Sequence, residues 1–377
     1  MKRILYVGGF ELPDKNAAAH RVLGNAKALR ELGYEVIFLD VDKDFQGNCL
    51  SEEHDTEGFR TFSQRHANDL KGLFRYASTP LYVEEILELF DDWEAVIAYN
   101  YPSIALDKLR KIGKRRGIKV YADCTEWYGL DRLTLRDAIV FLDSTVRMRI
   151  VHKKLDGVIC ISRYLEDYYR KHTKTVIIPP LVDKADLKWS LMDRENGSLH
   201  FLYSGSPGYQ KDRLDKIISA VCDCAGHCDL TIIGLSEREY LLRYPKERNR
   251  VRMLAASGKL KFLGRLPHKV TLDYLKRANF SIFFRTRTRT TMAGFPTKFV
   301  ESISCAVPVI TTDTSDLNQY IHDGLNGLLL PQDRFSDALC ELIDSGGLTY
   351  HSFHVENDCF DYRKFIERFR FFNGALL

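Results

Sequence analysis

Short apolar runs alternate with segments of helical periodicity along this chain, and the alternation starts twice. In the first half, Ile4–Val7 reads as a strand. A loop follows, Gly8 to Ala19, and then Val22, Ala26, Leu29 and Leu32 recur at helical spacing. Gly33 ends that helix and Glu35–Leu39 begins the next strand. Further strands are predicted at Ala95–Ala98, Lys119–Ala122, Gly157–Cys160 and Thr175–Ile178, with helices between them, including a long amphipathic one near Arg132–Lys154. Short buried-type strands separated by helices predict a parallel sheet covered on both faces.

Pro179-Pro180 breaks this rhythm, and Asp193 to Ser198 is polar and turn-rich. The pattern then restarts. Strands are predicted at Leu199–Tyr203, Leu230–Ile233, Leu260–Phe262, Phe280–Phe284 and Val307–Thr311. Helices are predicted at Arg213–Cys222, Lys269–Lys276, Lys298–Ser304 and Phe335–Ser345, and a last one at Tyr362–Phe372. A length of 377 residues suits two domains better than one core. The expected fold class is therefore α/β, with two doubly wound, Rossmann-like domains. The first spans residues 1–182, a linker spans 183–198, and the second spans 199–354. Ligands of such sheets sit at the carboxyl ends of strands, so the loops after strands are where chemistry is sought.

Composition excludes several classes. A net charge of +4 argues against a dedicated nucleic-acid binder. No apolar run approaches the ~20 residues that span a bilayer, and Ile4–Val7 is too short for a signal-peptide core. Nine scattered cysteines show no disulfide framework, which predicts a reducing cytosol and a cytoplasmic protein. Cys222, Cys224, His227 and Cys228 are close in sequence, but no second cluster completes a zinc spacing. The basic run Lys108–Lys119 and the helix Arg132–Lys154 are either solvated faces or a contact with an anionic membrane leaflet.

The stretch from Gly294 to Asp313 carries the strongest chemical signal. Gly294, Phe295 and Pro296 open a short helix at Thr297 and Lys298. Glu301 is expected two turns in, and a buried-type strand follows. A helix N-terminus presents unpaired N–H groups and partial positive charge, which favour a phosphate. Glu301 on the same helix could accept hydrogen bonds from hydroxyls of the molecule carrying that phosphate. A second strand–loop–helix, Tyr203 to Asp212, supplies Gly205, Ser206 and Lys211, where glycine permits close approach and lysine adds charge. Arg285 ends a strand and leads toward the glycine loop; a solvated loop arginine is the plainer alternative. In the first half, Gly9, Asn16 and His20 lie in or beside the loop after the first strand, which either approaches an acceptor or simply connects. Asp123 and Glu126, beside Trp127 and Tyr128, follow a strand. They suit hydroxyl recognition, or else Asp123 caps a helix and Trp127 packs in the core. In the second half no Asp-x-Asp pattern lies at a strand end to hold a divalent metal on a diphosphate, so the anion is expected to meet lysine, arginine and helix termini alone.

Taken together, these motifs resemble a retaining glycosyltransferase of the GT-B fold, family 4. Gly33-Tyr34-Glu35-Val36, Leu155 to Ser162, Ile178 to Asp183, Gly205 to Lys211, Ala306 to Ile310 and Asp323 to Gly327 each match a segment of that family. The resemblance implies two domains facing a cleft, with the final helix, within 355–377, packing back on the first domain. It implies that Glu301 binds donor ribose, that Lys211 holds the diphosphate with Arg285 assisting, and that the Gly294, Phe295 and Thr297 backbone faces the sugar or phosphates. Arg265 and Leu266 would lie near the base. Three positions depart from the family: Ala293 stands where a second glutamate is usual, Ser206 where an arginine is usual, and Ala17-Ala18-Ala19 where a glycine pair is usual. The Gly-Phe-Pro-Thr-Lys form resembles a subset of bacterial surface-polysaccharide enzymes.

The expected activity is metal-independent transfer of a sugar, without cofactor, from a nucleotide-diphosphate sugar to a hydroxyl. The expected acceptor is a lipid-linked glycan, with peripheral contact at the cytosolic face of a membrane. A nucleotide-sugar 2-epimerase of the same fold and a catalytically silent partner subunit are the alternatives.

Overall fold

A computed structural model of the protein describes residues 1–129, 134–192, 198–208 and 211–373, with backbone only at 135, 136, 372 and 373. The chain forms two compact units. The first comprises Met1–Asp183, Ala293–Phe295 and Asp361–Leu377, and the second comprises Lys184–Met292 and Pro296–Phe360.

The first unit is built on an eight-stranded sheet. Its strands are β1 (Arg3–Gly8), β2 (Glu35–Asp42), β3 (His54–Thr56), β4 (Phe59–Arg65), β5 (Trp93–Tyr99), β6 (Lys119–Cys124), β7 (Gly157–Cys160) and β8 (Lys174–Ile177). They lie in the order β3-β4-β2-β1-β5-β6-β7-β8. All neighbours are parallel except β3, which pairs antiparallel with β4. That hairpin escapes the alternating rhythm. Its turn holds Glu57 at φ 51° and Gly58 at φ 79°, the left-handed pair that matches strand twist. Central strands are apolar because helices cover both faces. Ile4, Tyr6, Phe38, Ala95, Ile97 and Ile159 share one core with Val22, Ala26 and Leu29 of helix Ala17–Glu31. Burying each large apolar side chain there stabilises the unit by roughly 1.5–3 kcal/mol.

Two helical predictions for this unit change in detail. The Arg132–Lys154 helix is α-helical over Leu135–Val146, then turns through a π segment, Arg147–Val151, and a 3-10 turn, His152–Lys154; Arg132 and Leu133 lie outside the described residues. The π turn coincides with an arginine drawn inward, since Arg147 is buried and donates to the Asn100 carbonyl at 2.6 Å. The last segment, Tyr362–Asn373, is a 3-10 helix. Its Tyr362, Phe365 and Phe369 enter the same core, and the Tyr362 amide donates to the Val182 carbonyl at 2.9 Å.

The second unit carries a six-stranded, all-parallel sheet. Its strands are β9 (Leu199–Ser204), β10 (Cys228–Ile233), β11 (Leu260–Gly264), β12 (Phe280–Ile282), β13 (Val309–Thr311) and β14 (Gly327–Leu329), in the order β11-β10-β9-β12-β13-β14. β13 starts later than predicted because Pro308 has no N–H to give the ladder, although its carbonyl still accepts from Ser281 at 3.0 Å. Helix Leu214–Cys222 buries Leu214, Ile217, Ile218 and Val221, and helix Thr297–Ser304 buries Phe299, Val300 and Ile303. The order reverses direction about β9 and β12, so the loops after these two neighbouring strands share one end of the sheet. No described helix is long and apolar enough to cross a membrane.

Candidate functional site

At the carboxyl end of β9, the chain turns through Gly205 at φ +115°. The Gly205 amide donates to the Ile233 carbonyl at 3.0 Å. Gly234, at φ +102°, crosses so closely that a Cβ there would lie 2.5 Å from the Gly205 carbonyl oxygen. Glycine at both positions is therefore a geometric requirement. The loop returns at Asp212, which forms an antiparallel bridge with Arg285 just beyond β12, and the next amide, Arg213, donates to the Phe284 carbonyl at 3.0 Å.

Asp212 is the centre of the site, and the sequence reading did not single it out. Its side chain is buried and fully occupied. Oδ2 accepts from the Tyr203 hydroxyl at 2.7 Å and from the Lys298 ammonium at 2.5 Å, and Oδ1 accepts from Arg285 Nε at 2.8 Å. Burial pushes this carboxyl up, but the Lys298 and Arg285 charges outweigh it and hold the group down to about 2. Lys298, in the first turn of its helix, lies over the Tyr203 ring at 3.9 Å from the centroid. Burial pushes its ammonium down to about 8 against the pull of Asp212, and Arg285 adds to the lowering. Lys298 also faces the glycine turn, since a Cβ on Gly205 would meet its Nζ at 3.5 Å. Arg285 is fixed from behind by Thr312, whose Oγ1 accepts from its amide at 3.1 Å and donates to its carbonyl at 2.6 Å. Two cations held by one carboxylate leave net positive charge beside an exposed glycine turn and a helix N-terminus.

Glu301 lies one turn into helix Thr297–Ser304, not two, because the helix starts at Thr297. Residues three apart share a helix face, which places Glu301 next to Lys298 on that helix. Its Oε1 is 3.2 Å from His268 Nε2, and both side chains are mostly buried. His268 opens helix His268–Arg277, with the Trp189 ring edge-on at 6.3 Å. Arg265 and Leu266 precede that helix in the loop after β11; Arg265 is exposed and Leu266 half-buried. Ser206 is exposed, Lys211 and Thr297 are half-buried, and Pro296 is buried, its carbonyl accepting from Phe299 at 3.0 Å. Gly294 and Phe295 group with the first unit, as does Ala293, whose carbonyl accepts from Ser162 Oγ at 2.7 Å.

The first-unit candidates come out differently. Asp123 is neither a cleft carboxylate nor a helix cap. It is fully buried, and Arg21 Nε and Nη2 donate to it at 2.9 and 2.6 Å while the Tyr6 hydroxyl donates at 2.5 Å. Arg21 completes the lock by donating to the Ile178 carbonyl at 2.9 Å. Asn16 caps helix Ala17–Glu31, its Oδ1 accepting from the Ala18 and Ala19 amides at 2.8 and 3.2 Å. His20 contacts Asp14, Gly9 is exposed and Glu126 is half-buried. Trp127 is a core residue, with the Tyr168 ring 4.8 Å away. The first loop is shaped instead by Asp40 at the end of β2, which accepts from the Phe10, Glu11 and Leu12 amides at 2.7, 3.0 and 2.8 Å. Among the described residues the cysteine cluster does not gather into a metal-ligand set: Cys222 and Cys228 thiols point to the Lys259 and Val221 carbonyls, while Cys224 contacts Cys340 and Cys228. The basic run is largely paired, with Lys111 to Asp107 at 2.8 Å, Arg116 to Glu88 at 2.8 Å and Lys119 to Glu94 at 3.1 Å.

Residues 198–345, which contain the Asp212 site, match the family model described as glycosyl transferases group 1. No curated protein matches the chain by sequence. Solved structures match it over essentially its whole length. Sucrose-phosphate synthase from Thermosynechococcus elongatus superposes with a TM-score of 0.72 at 14% identity, covering 100% of both chains. Anabaena HepE in complex with UDP-glucose gives 0.66 at 12% identity, also covering 100% of both. The lipopolysaccharide outer core galactosyltransferase WaaB gives 0.62 at 16% identity, covering 99% of this chain and 100% of that one. At these identities the likeness establishes the fold, two parallel-sheet Rossmann-like units of the GT-B type.

Proposed function

We propose that the protein is a retaining glycosyltransferase of the family 4 type, moving a sugar from a nucleotide-diphosphate donor to a hydroxyl of a lipid-linked glycan. The observation that carries this reading is the pair of cations, Lys298 and Arg285, pinned by Asp212 beside the Gly205 turn, with Glu301 one helical turn from Lys298. A diphosphate would meet the net positive charge and the start of helix Thr297–Ser304, while the ribose hydroxyls would donate to Glu301. Lys211, on the same loop as Gly205, would close over the phosphates, and Arg265 and Leu266 would border the base.

Cleaving the sugar–phosphate bond leaves negative charge on the diphosphate. Cations already oriented by a buried carboxylate stabilise that charge without reorganising, which is where electrostatic catalysis has most effect. No nucleophilic side chain is required if the acceptor attacks from the face of the leaving group and the phosphate takes its proton. The match of the second unit to glycosyl transferases group 1 supports this reading, and the complex of HepE with UDP-glucose makes uridine the first base to test. WaaB, which acts on lipopolysaccharide, supports a lipid-linked glycan as acceptor.

The deciding experiment is a thermal-shift screen of nucleotides and nucleotide-sugars, because a ligand bound only by the folded state raises the midpoint by mass action. One nucleotide series should stabilise the protein, and its sugar conjugate should give transfer with the anomeric configuration kept. Absence of stabilisation by every nucleotide would refute the proposal.

A further inference from the structure

In the first unit, a cavity of about 370 Å³ opens beside the carboxyl end of β4, at the start of helix Leu70–Ser78. Its lining includes Gln64, Arg65, His66, Lys71 and Arg75. Two features set it apart from a solvated hollow. Gln64 is 2% exposed, and its amide Nε2 is buried with no hydrogen-bond partner among the described residues. A buried donor left unsatisfied destabilises the fold, and an acceptor atom in the cavity would recover that loss. The cations are also uncommitted: among the described residues, Arg65, Lys71 and Arg75 have no carboxylate within salt-bridge distance, and Arg65 reaches only the Asn48 side chain at 3.3 Å. Asp69 is the one acidic residue of the lining, and its carboxylate is engaged in capping the Gly72 amide at 2.7 Å. One amide donor and three cations against one capping carboxylate suit a multiply charged anion with several acceptor oxygens.

The helix above the cavity adds an apolar surface. It is anchored by Tyr76, whose ring lies edge-on to Tyr101 at 5.8 Å, and it has no buried residue. Leu70 and Phe74, one turn apart, are 87% and 72% exposed, and Leu73 is exposed beside them. Lys71 and Arg75, also one turn apart, form the adjoining stripe. An apolar stripe in contact with water, next to a cationic cavity, is complementary to a molecule with a charged head and a hydrocarbon tail.

We infer that this cavity and the Leu70–Phe74 stripe bind a lipid phosphate, the headgroup entering the cavity toward Gln64, Lys71 and Arg75 and the chain lying on Leu70, Leu73 and Phe74. This rests on the transferase reading in one respect: the lipid phosphate would be the carrier of the acceptor.

The test is calorimetric titration of the full chain, saturated with UDP, with farnesyl diphosphate, inorganic pyrophosphate and farnesol. With UDP filling the Asp212 site, as the proposed function requires, the titrant reports on the first unit. Farnesyl diphosphate should bind at least about tenfold more tightly than pyrophosphate, and farnesol should not bind measurably. Lys71→Ala with Arg75→Ala should weaken both phosphates about tenfold, whereas Leu70→Ser with Phe74→Ser should weaken farnesyl diphosphate alone. All four positions are exposed, so these variants fold, and UDP binding should be unchanged in each. Equal affinity for farnesyl diphosphate and pyrophosphate, or binding indifferent to both double variants, overturns the inference. If UDP fails to bind while farnesyl diphosphate binds as described, the transferase reading falls and the lipid-phosphate site stands.

Discussion

The Asp212 carboxylate and the Lys298 ammonium form a buried ion pair, 2.5 Å apart, that joins the turn after β9 to the first turn of helix Thr297–Ser304. Asp212 binds Arg285 on its other oxygen, so one carboxylate sets the position of two cations. Removing one member of a buried pair leaves the others uncompensated, at a cost of roughly 3–5 kcal/mol. Asp212→Asn should lower stability on that scale and weaken UDP binding, even though Asp212 itself would repel a phosphate. Denaturant unfolding and calorimetry check both. Tighter UDP binding in Asp212→Asn, at unchanged stability, would show that the carboxylate merely opposes the ligand.

The same carboxyl gives an acid signature. Its folded-state value, about 2, lies below the 3.8 of an ordinary aspartate. The folded state therefore binds fewer protons than the unfolded one between these values, and the stabilisation is complete above about pH 4 and lost as pH falls toward 2. The difference in unfolding free energy between the parent protein and Asp212→Asn should shrink across that window by about 2 kcal/mol. A difference that stays constant from pH 5 to about 2 contradicts the assignment.

Lys298 gives an alkaline signature. Its ammonium is lowered from 10.5 to about 8. Between these values the unfolded chain binds more protons, so this group's contribution to stability rises with pH. Its charge is lost over the same range, so UDP affinity should fall above pH 8, by up to about tenfold per pH unit. Lys298→Met should bind UDP more weakly at pH 7 and show no such decline. An identical alkaline decline in both proteins would assign it to another group.

Which parts of this site were legible in the sequence follows from how local each cause is. Lys298, Glu301 and Gly205 announce themselves because a glycine turn, a helix start and a carboxylate three residues on are all short-range patterns. Asp212 does not, since its role depends on Tyr203, Arg285 and Lys298, the last two reached 73 and 86 residues away. Asp123 shows the converse error. Its position at a strand end beside aromatics suggests an open carboxylate, but Arg21 and Tyr6, 102 and 117 residues away, enclose it. Most of the alternating strands were legible because burial makes them largely apolar, but β14 was not, being only three residues, Gly327–Leu329, at the sheet edge. The β3–β4 hairpin was not, because His54–Thr56 is polar and largely exposed.

The ribose role proposed for Glu301 separates cleanly from phosphate binding. Glu301→Ala should weaken UDP roughly tenfold to a hundredfold, the scale of hydrogen bonds to a charged group, and leave pyrophosphate unchanged. 2′,3′-dideoxy-UDP should bind the parent protein about as weakly as UDP binds the variant, with little further loss when the two changes are combined. His268→Ala, which frees the Glu301 oxygen held at 3.2 Å, should produce a smaller loss in the same direction. Equal weakening of UDP and pyrophosphate by Glu301→Ala would place the carboxylate elsewhere.

Gly234 tests the geometry of the turn. An alanine there would place Cβ 2.5 Å from the Gly205 carbonyl oxygen at a φ of +102°, and backbone atoms have no flexible end to move aside. Gly234→Ala should cost about 1–3 kcal/mol from strain alone and weaken UDP binding by displacing Gly205. Wild-type stability and affinity in this variant would mean that the two turns do not cross as described.

Asp123 and Arg21 separate a structural role from an acceptor role in the first unit. The pair is fully buried, with Arg21 bridging the end of β6 to the Ile178 carbonyl. Arg21→Ala should lower stability by roughly 3–5 kcal/mol, because it strands a buried carboxylate. Asp123→Asn should also destabilise, since it leaves the buried guanidinium without its counter-charge. Neither change should alter the KM for acceptor in the fraction that remains folded, measured at a temperature well below each variant's midpoint. An acceptor KM raised in Asp123→Asn with stability unchanged would return this carboxylate to the binding surface and remove it from the core.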